Sequence, residues 1–153
     1  MRAGIGKVFW GVTESVHLVD IINQTDLAGD IDGEDKLGQP MVNLAWQKDW
    51  GLVSAWVMPY FRERNYPGVE GRLRTPLAVD GDRAVYESSS EESHVDVALR
   101  YSHYIGDVDI GLSFFSGTSR EPRLIPADNA AVLLPHYDQI DQFGVDLQYT
   151  RDA

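Results

Sequence analysis

The sequence predicts an all-β protein: an antiparallel up-and-down transmembrane β-barrel, of which about six strands are present, with one short helix near the N-terminus. Three observations predict it. Apolar and polar residues alternate over long stretches, the mark of strands with two unlike faces. The alternating stretches 52–63, 94–105 and 140–150 are longer than the roughly 5–6 residues typical of soluble strands and meet the roughly 9–11 that a membrane strand needs. Connections alternate between tight turns and long polar segments, which compact soluble domains rarely hold several of and outer-membrane barrels have as a rule.

Gly4 to Val12 predicts the first strand, with Val8, Trp10 and Val12 on one face. Thr13 is placed to cap a short helix over "ESVHLVDII", whose Val16, Val19 and Ile22 fall at helical spacing. Pro40 to Gln47 is a strand with Val42, Leu44 and Trp46 on its apolar face, "KDWG" (48–51) is a tight turn, and Leu52 to Glu63 returns. On that returning strand Val53, Ala55, Val57, Pro59 and Phe61 oppose Ser54, Trp56, Met58, Tyr60 and Arg62, and Pro59, which has no N–H to give, suits an edge or bulge. The clearest hairpin is "HVDVALRYSHYIGDVDIGLSFFSG" (94–117), turning at Gly106-Asp107. Val95, Val97, Leu99, Tyr101, His103 and Ile105 form its apolar series, continued by Val108, Ile110, Leu112 and Phe114. In the last strand Phe143, Val145, Leu147 and Tyr149 alternate with Gln142, Gly144, Asp146 and Gln148. The whole chain, 1–153, reads as one partial barrel domain, with long outer loops at about 23–39, 64–92 and 118–137.

Composition narrows the function classes. The 153 residues suffice for one domain with a core. With no cysteine, disulfide and thiolate chemistry are excluded. A formal net charge of −11 repels phosphates and argues against a nucleic-acid partner. No run of about 18 apolar residues offers a transmembrane helix.

Alternation alone does not choose between lipid and a protein core as the medium of the apolar face. A soluble β-sandwich, binding a ligand or carbohydrate through Trp46, Trp50, Trp56 and Tyr60, is the alternative reading. Lipid is favoured by the strand lengths and the loop rhythm. It is also favoured by the polar series, which mix charges, amides, hydroxyls and glycine as a wet lumen does, and by aromatics near strand ends (Trp46, Trp50, Tyr60, Phe61, Tyr104, Tyr149) that suit an interfacial girdle. Lumen-lining residues are then Asp96, Arg100, Asp109, Ser113, Gln142, Asp146 and Gln148. Lipid-facing residues are Val53, Val57, Val95, Val97, Leu99, Ile110, Leu112, Val145 and Leu147. Asp96 and Arg100 share one face and are read as a mixture of a structural lumen ion pair and a charge lining that biases solute selectivity. His103, on the apolar series, fits least well.

Two segments, "GKVFWGVTESVHLVDIINQTDL" and "EDKLGQPMVNLAW", carry a family resemblance. A strand with Trp-Gly, a short helical segment and an Asn-to-Asp loop resemble the early part of bacterial outer-membrane porin-like proteins, the alginate-export-type porins and related outer-membrane proteins among them. The resemblance covers about the first 60 residues by motif and the rest by pattern. It implies a piece of a channel-type barrel in the outer membrane of a Gram-negative bacterium, in contact with lipid and lipopolysaccharide and passing small solutes. Single-chain barrels have at least about eight strands, so about six strands imply a fragment or an assembly of several chains.

Other candidate sites are weaker. "GDIDGED" (29–35) gathers Asp30, Asp32 and Glu34 as a calcium candidate, but no glutamate completes an EF-hand loop and a solvated acidic loop is the expectation. His17, His94, His103 and His136 lack zinc-ligand spacing. Ser88 to Ser90 lack a nucleophile setting. No catalytic constellation forms, so the expectation is a channel without an enzymatic role and without a cofactor.

Overall fold

The computed structural model describes residues 1–9, 21–28, 35–68, 70–71, 75–128 and 131–150. Among these described residues ten strands form two sheets. The larger sheet holds β1 (Arg2–Gly6), β2 (Gln39–Lys48), β3 (Gly51–Met58), β6 (Asp96–Ile105), β7 (Val108–Thr118) and β10 (Gln139–Tyr149). Its spatial order β1-β2-β3-β6-β7-β10 follows the chain, and every neighbouring pair is antiparallel. Six strands are therefore present as an all-β antiparallel up-and-down sheet, but the first is Arg2–Gly6 and not Gly4 to Val12: residues 7–9 are not strand, and 10–12 lie outside the described residues. Among the described residues the sheet is open, with β1 and β10 at its edges and no closed barrel.

Local chemistry explains the boundaries. Asp49 and Trp50 alone separate β2 from β3, whose Lys48 and Gly51 are paired. Gly51 takes φ +131°, and a Cβ there would stand 2.7 Å from the Ser102 carbonyl oxygen and from the Tyr101 ring. Between β6 and β7, Gly106 takes φ +60°, which a glycine adopts without penalty at the first position of a two-residue hairpin turn. β3 stops at Met58 rather than running to Glu63, because Pro59 cannot donate to the ladder. Beyond that break Phe61 leaves the alternation and is fully buried.

The second sheet is assembled from segments expected to be loops. β4 (Ala78–Val79) and β5 (Val85–Tyr86) come from the connection between β3 and β6. β8 (Arg123–Pro126) and β9 (Val132–Tyr137) come from the connection between β7 and β10. β4 and β5 pair in parallel with β9, and β8 pairs antiparallel on its other side. The two long connections are thus stitched together at the end of the main sheet opposite its tight turns. Their joint is aromatic: Tyr137 meets Phe61 at 4.8 Å and stacks on Tyr86 at 5.3 Å between ring centroids, and its hydroxyl accepts the Arg64 N–H at 3.0 Å.

The expected helix over 14–22 falls outside the described residues except for Ile21 and Ile22, which are not helical. The expected loop 23–39 is likewise not a solvated loop at its start. Asn23, Gln24 and Thr25 are buried. Asn23 accepts the Val8 N–H at 2.6 Å and donates to the carbonyls of Gly6 and Leu37. The calcium candidates Asp30, Asp32 and Glu34 lie outside the described residues.

Candidate functional site: the two faces of the large sheet

Register fixes which side chains share a face, since directly paired residues point the same way. One face carries successive cross-strand rows: Leu44, Ala55, Leu99, Phe114 and Phe143; then Trp46, Val53, Tyr101, Leu112 and Val145; then His103, Ile110 and Leu147. This apolar face is uncovered. Leu99 is 47% exposed, Leu112 45%, Leu147 64%, Val145 67% and Phe143 79%. Val57, Val95 and Val97 are exposed with them, and Val53 and Ile110 are half-buried. All nine residues expected to face lipid thus follow the one alternation. Phe61 is the exception among the expected girdle aromatics, being buried under the second sheet, whereas Trp46, Trp50, Tyr60, Tyr104 and Tyr149 are exposed.

The opposite face is the buried one, and it is mixed: an apolar floor lies towards the long connections, with ion pairs beside it and towards the tight turns. Towards the long connections its floor is Met41, Trp56, Met58, Ala98 and Phe115, covered by Ile22 with Val8, Ile21 and Ile140 around it. Trp56 therefore sits on the other side of the sheet from Trp46 and Trp50, which separates the aromatic platform considered for carbohydrate.

Beside this floor lies a charge cluster. Asp96 is fully buried and accepts from Arg120 Nη1 at 2.5 Å and the Thr118 N–H at 2.9 Å, with His94 Nδ1 at 2.8 Å. Arg120 also donates through Nε to the Ile22 carbonyl at 2.9 Å and through Nη1 to the Thr118 carbonyl. Its guanidinium carbon lies 5.1 Å from the Phe61 ring centre and 5.2 Å from that of Phe115. Burial pushes the Arg120 guanidinium below its ordinary range, against the opposing pull of Asp96. One cation thus ties residues 21–25, the ends of β6 and β7, and both aromatic layers together.

Towards the tight turns the polar face holds a second ion pair. Arg100 on β6 reaches Asp146 on β10 with two parallel bonds, Nη1 to Oδ1 at 2.8 Å and Nη2 to Oδ2 at 2.9 Å. β7 lies between those strands, and the residue it presents there is Gly111, paired with Ser102 on one side and Asp146 on the other. A Cβ on Gly111 would overlap Asp146 Oδ2 and stand 2.5 Å from Arg100 Nη2. Gly117 clears the Asp96 carboxylate in the same way. The expected Asp96–Arg100 pair is therefore corrected: Asp96 takes Arg120, just beyond the end of the adjacent β7, and Arg100 takes Asp146 across β7, where Gly111 opens the path. Of the remaining polar-face residues, Ser113 and Gln142 are half-buried, and Asp109 and Gln148 are exposed near the turns. Asp109 lines an open cleft of about 540 Å³ with Gln47, Lys48, Ser102, His103 and Tyr104.

His103, odd by sequence, belongs to an aromatic run at the turn end. Trp46 meets Trp50 edge-on at 5.7 Å, Trp50 stacks on Tyr101 at 6.2 Å, and His103 follows at 6.4 Å, with Lys48 Nζ 5.5 Å from the Trp46 ring. Beside the second sheet, which is inserted between strands of the first, lies a further titratable group: burial raises the Glu63 carboxyl above its ordinary value, assisted by Glu92 and Asp82 and opposed by the Tyr86 hydroxyl that donates to it. Among the described residues no group of three or more acidic or histidine side chains is placed to hold a metal ion. Sequence reading missed Arg120, Gly111 and Gly117. The one available signal was glycine within a polar series beside charged residues.

No family model, curated protein or solved structure matches this chain. What is established is the class: an all-β protein built on an antiparallel meander with one apolar face exposed and the other carrying the core and the ion pairs.

Proposed function

We propose that the chain forms wall of an outer-membrane β-barrel channel of a Gram-negative bacterium, passing small solutes through a polar lumen. The observation that carries this reading is the bare apolar face: Phe143, Val145 and Leu147 stand exposed on it, although the other face of the sheet already encloses an apolar floor and the buried Asp96. In water such a face is a liability, since monomers rarely expose contiguous apolar patches beyond a few hundred Å². In a bilayer it is the required surface, because lipid solvates it and the strands satisfy their backbone groups among themselves.

Other features support the same reading. From Val97 to Ile105 the apolar series spans about 26 Å along the strand, or about 20 Å at a strand tilt near 40°. The two-residue turns lie at one end of the meander and the long connections at the other, as in barrels with short periplasmic turns and long outer loops. The stitched connections then meet lipopolysaccharide at the outer surface, and the Trp46–Trp50–Tyr101–His103 run sits at headgroup level on the inner side. Arg100, Asp109, Ser113, Gln142, Asp146 and Gln148 line the water path, where a mixed charge lining biases which solutes pass. Asp96 serves the lumen indirectly, by holding Arg120 and residues 21–25 against the wall. The resemblance to porin-like proteins points the same way. Six strands fall short of the at least about eight of single-chain barrels, so closure takes more strands than these.

The test is reconstitution into planar bilayers together with gel mobility before and after boiling. Stepwise conductance and a heat-dependent mobility shift are expected. A protein that stays in the aqueous phase and shows neither sinks the channel reading.

A further inference from the structure

On the enclosed face of the large sheet β1 is nearly bare of side chains. Register sets Arg2 opposite Asn43, Gly4 opposite Met41 and Gly6 opposite Gln39, with Asn43 in turn opposite Trp56. A Cβ on Gly4 would touch nothing within 4 Å, and one on Gly6 would meet only Met41 Sδ, at 3.7 Å. Past β1 the chain crosses inward over the floor. Val8 packs against the core, and buried Asn23 accepts the Val8 N–H at 2.6 Å while donating to the Gly6 carbonyl at 3.1 Å. Between the bare strand and the crossing segment lies a hollow of about 230 Å³, walled by Val8, Met41, Asn43 and Trp56, with Arg2 and Lys7 also lining it. Pockets for drug-sized molecules measure roughly 300–1,000 Å³, so this one suits a smaller body, such as a single ring.

The lining combines two kinds of chemistry. Trp56 and Met41 supply an apolar, polarisable wall. Arg2 and Lys7 supply exposed positive charge. Arg2, Asn43 and Trp56 stand in one cross-strand row, where neighbours lie about 5 Å apart, so a guanidinium, an amide and an indole fall within the span of one small molecule. Among the described residues Arg64, Arg83, Arg100, Arg120 and Arg123 are held by carboxylates, whereas neither Arg2 nor Lys7 is in an ion pair. In a chain with 24 acidic and 13 basic residues, two cations without a carboxylate at one hollow make a positive spot on an acidic molecule, and such a spot draws an anion from solution.

We infer that this hollow binds a small organic carboxylate, its charged end on Arg2 and Lys7 and its apolar body against Trp56 and Met41. A guanidinium fork matches a carboxylate with two parallel bonds, and an ammonium adds a point charge beside it. A bare inorganic anion would leave the apolar wall unused, and a neutral ring would leave the cations unused. The hollow belongs to the enclosed face, so the inference goes beyond the channel reading and stands without it; in a channel the site lies in the wall of the water path.

The test is calorimetric titration of the full chain in neutral detergent with benzoate, set against benzyl alcohol, which keeps the ring without the charge, and inorganic phosphate, which keeps the charge without the ring. Benzoate is expected to bind more tightly than either. Arg2→Gln is expected to weaken benzoate on the order of tenfold, the worth of a hydrogen bond to a charged group, and Lys7→Gln to weaken it less. Both residues are exposed, so these substitutions leave the fold in place. Gly6→Leu fills the hollow and is expected to abolish binding; should it disturb the strand, Arg2→Gln decides alone. Absence of benzoate binding, or binding that Arg2→Gln and Lys7→Gln leave unchanged, overturns the proposal. Benzyl alcohol or phosphate binding as tightly as benzoate overturns it as well. The channel reading fails separately: benzoate binding without bilayer conductance keeps the site and removes the channel, and conductance without benzoate binding does the reverse.

Discussion

The two faces of one sheet have opposite fates. The apolar face, with its rows centred on Leu99, Leu112 and Val145, is bare, whereas the polar face encloses Asp96, Arg120, and the Arg100–Asp146 pair with side chains 15% and 9% exposed. A soluble sheet spends its apolar residues on the core and leaves its charges wet. Here the period of two is unchanged, but the enclosed face holds ion pairs beside its apolar floor of Met41, Trp56, Met58, Ala98 and Phe115, and the other face keeps its apolar rows exposed. The comparison teaches that alternation tells where a strand is, while the partners of the polar residues tell what surrounds it. Charges that find protein partners and glycine-cleared paths lie on the enclosed face, and the apolar rows of the other face are exposed.

The comparison breaks most sharply at Asp96. Replacing it with alanine leaves Arg120 buried without its carboxylate, and one-sided loss of a buried pair costs about 3–5 kcal/mol; the shift of the urea midpoint measures it. The reverse probe is Leu112→Lys on the bare face. In a bilayer it costs about 2–4 kcal/mol near mid-depth, and Gln148→Lys on the polar face costs close to nothing; equal effects of the two in lipid-based unfolding contradict the assignment of faces. Gly111→Ala drives a methyl into the Arg100–Asp146 pair, for a loss of about 1–3 kcal/mol as in other overpacked sites. In a chain that already carries Asp146→Ala the same Gly111→Ala step costs less, the coupling expected of residues in contact.

The smallest expected effect lies in the inserted sheet. The folded protein holds Glu63 protonated to a higher pH than the unfolded chain does, chiefly through burial. Its contribution to stability is therefore complete below the ordinary glutamate range and disappears as pH rises through the raised value. Near-ultraviolet dichroism of the Tyr86–Tyr137 stack, followed through denaturation at several pH values, should show stability falling upward from the carboxylate range. Glu63→Gln flattens that slope; an unchanged slope assigns it to another group.

The strands of the large sheet were legible because a half-buried strand must alternate, and Val97, Leu99 and Tyr101 do so without interruption. The turns were legible because Gly106 and Gly51 supply conformations that other residues resist. The second sheet was not: β4 and β5 have two residues each and pair in parallel with β9, so no local period marks them. Nor were the ion pairs. Arg100 finds Asp146 across an intervening strand, and Arg120 comes from a segment without periodicity and is paired with Asp96 from 24 residues away. Such contacts depend on strand order and on a missing Cβ, which are properties of the assembled sheet. Burial of Asn23 to Thr25 escaped notice for the same reason, since their partners Gly6, Leu37 and Arg64 lie on three other segments.

The central claim, that lipid meets the apolar face and water the polar one, is tested most directly on β10. Single cysteines placed at each position from 142 to 148 in turn, nitroxide-labelled and reconstituted into phospholipid vesicles, report access to oxygen, which concentrates in lipid, and to a water-soluble nickel chelate. The account predicts a period of two: labels at 143, 145 and 147 relaxed by oxygen and shielded from nickel, and labels at 142, 144, 146 and 148 showing less oxygen and more nickel. Nickel access at 143, 145 and 147 equal to that at the even positions, or shielding of the odd positions from both reagents, contradicts it.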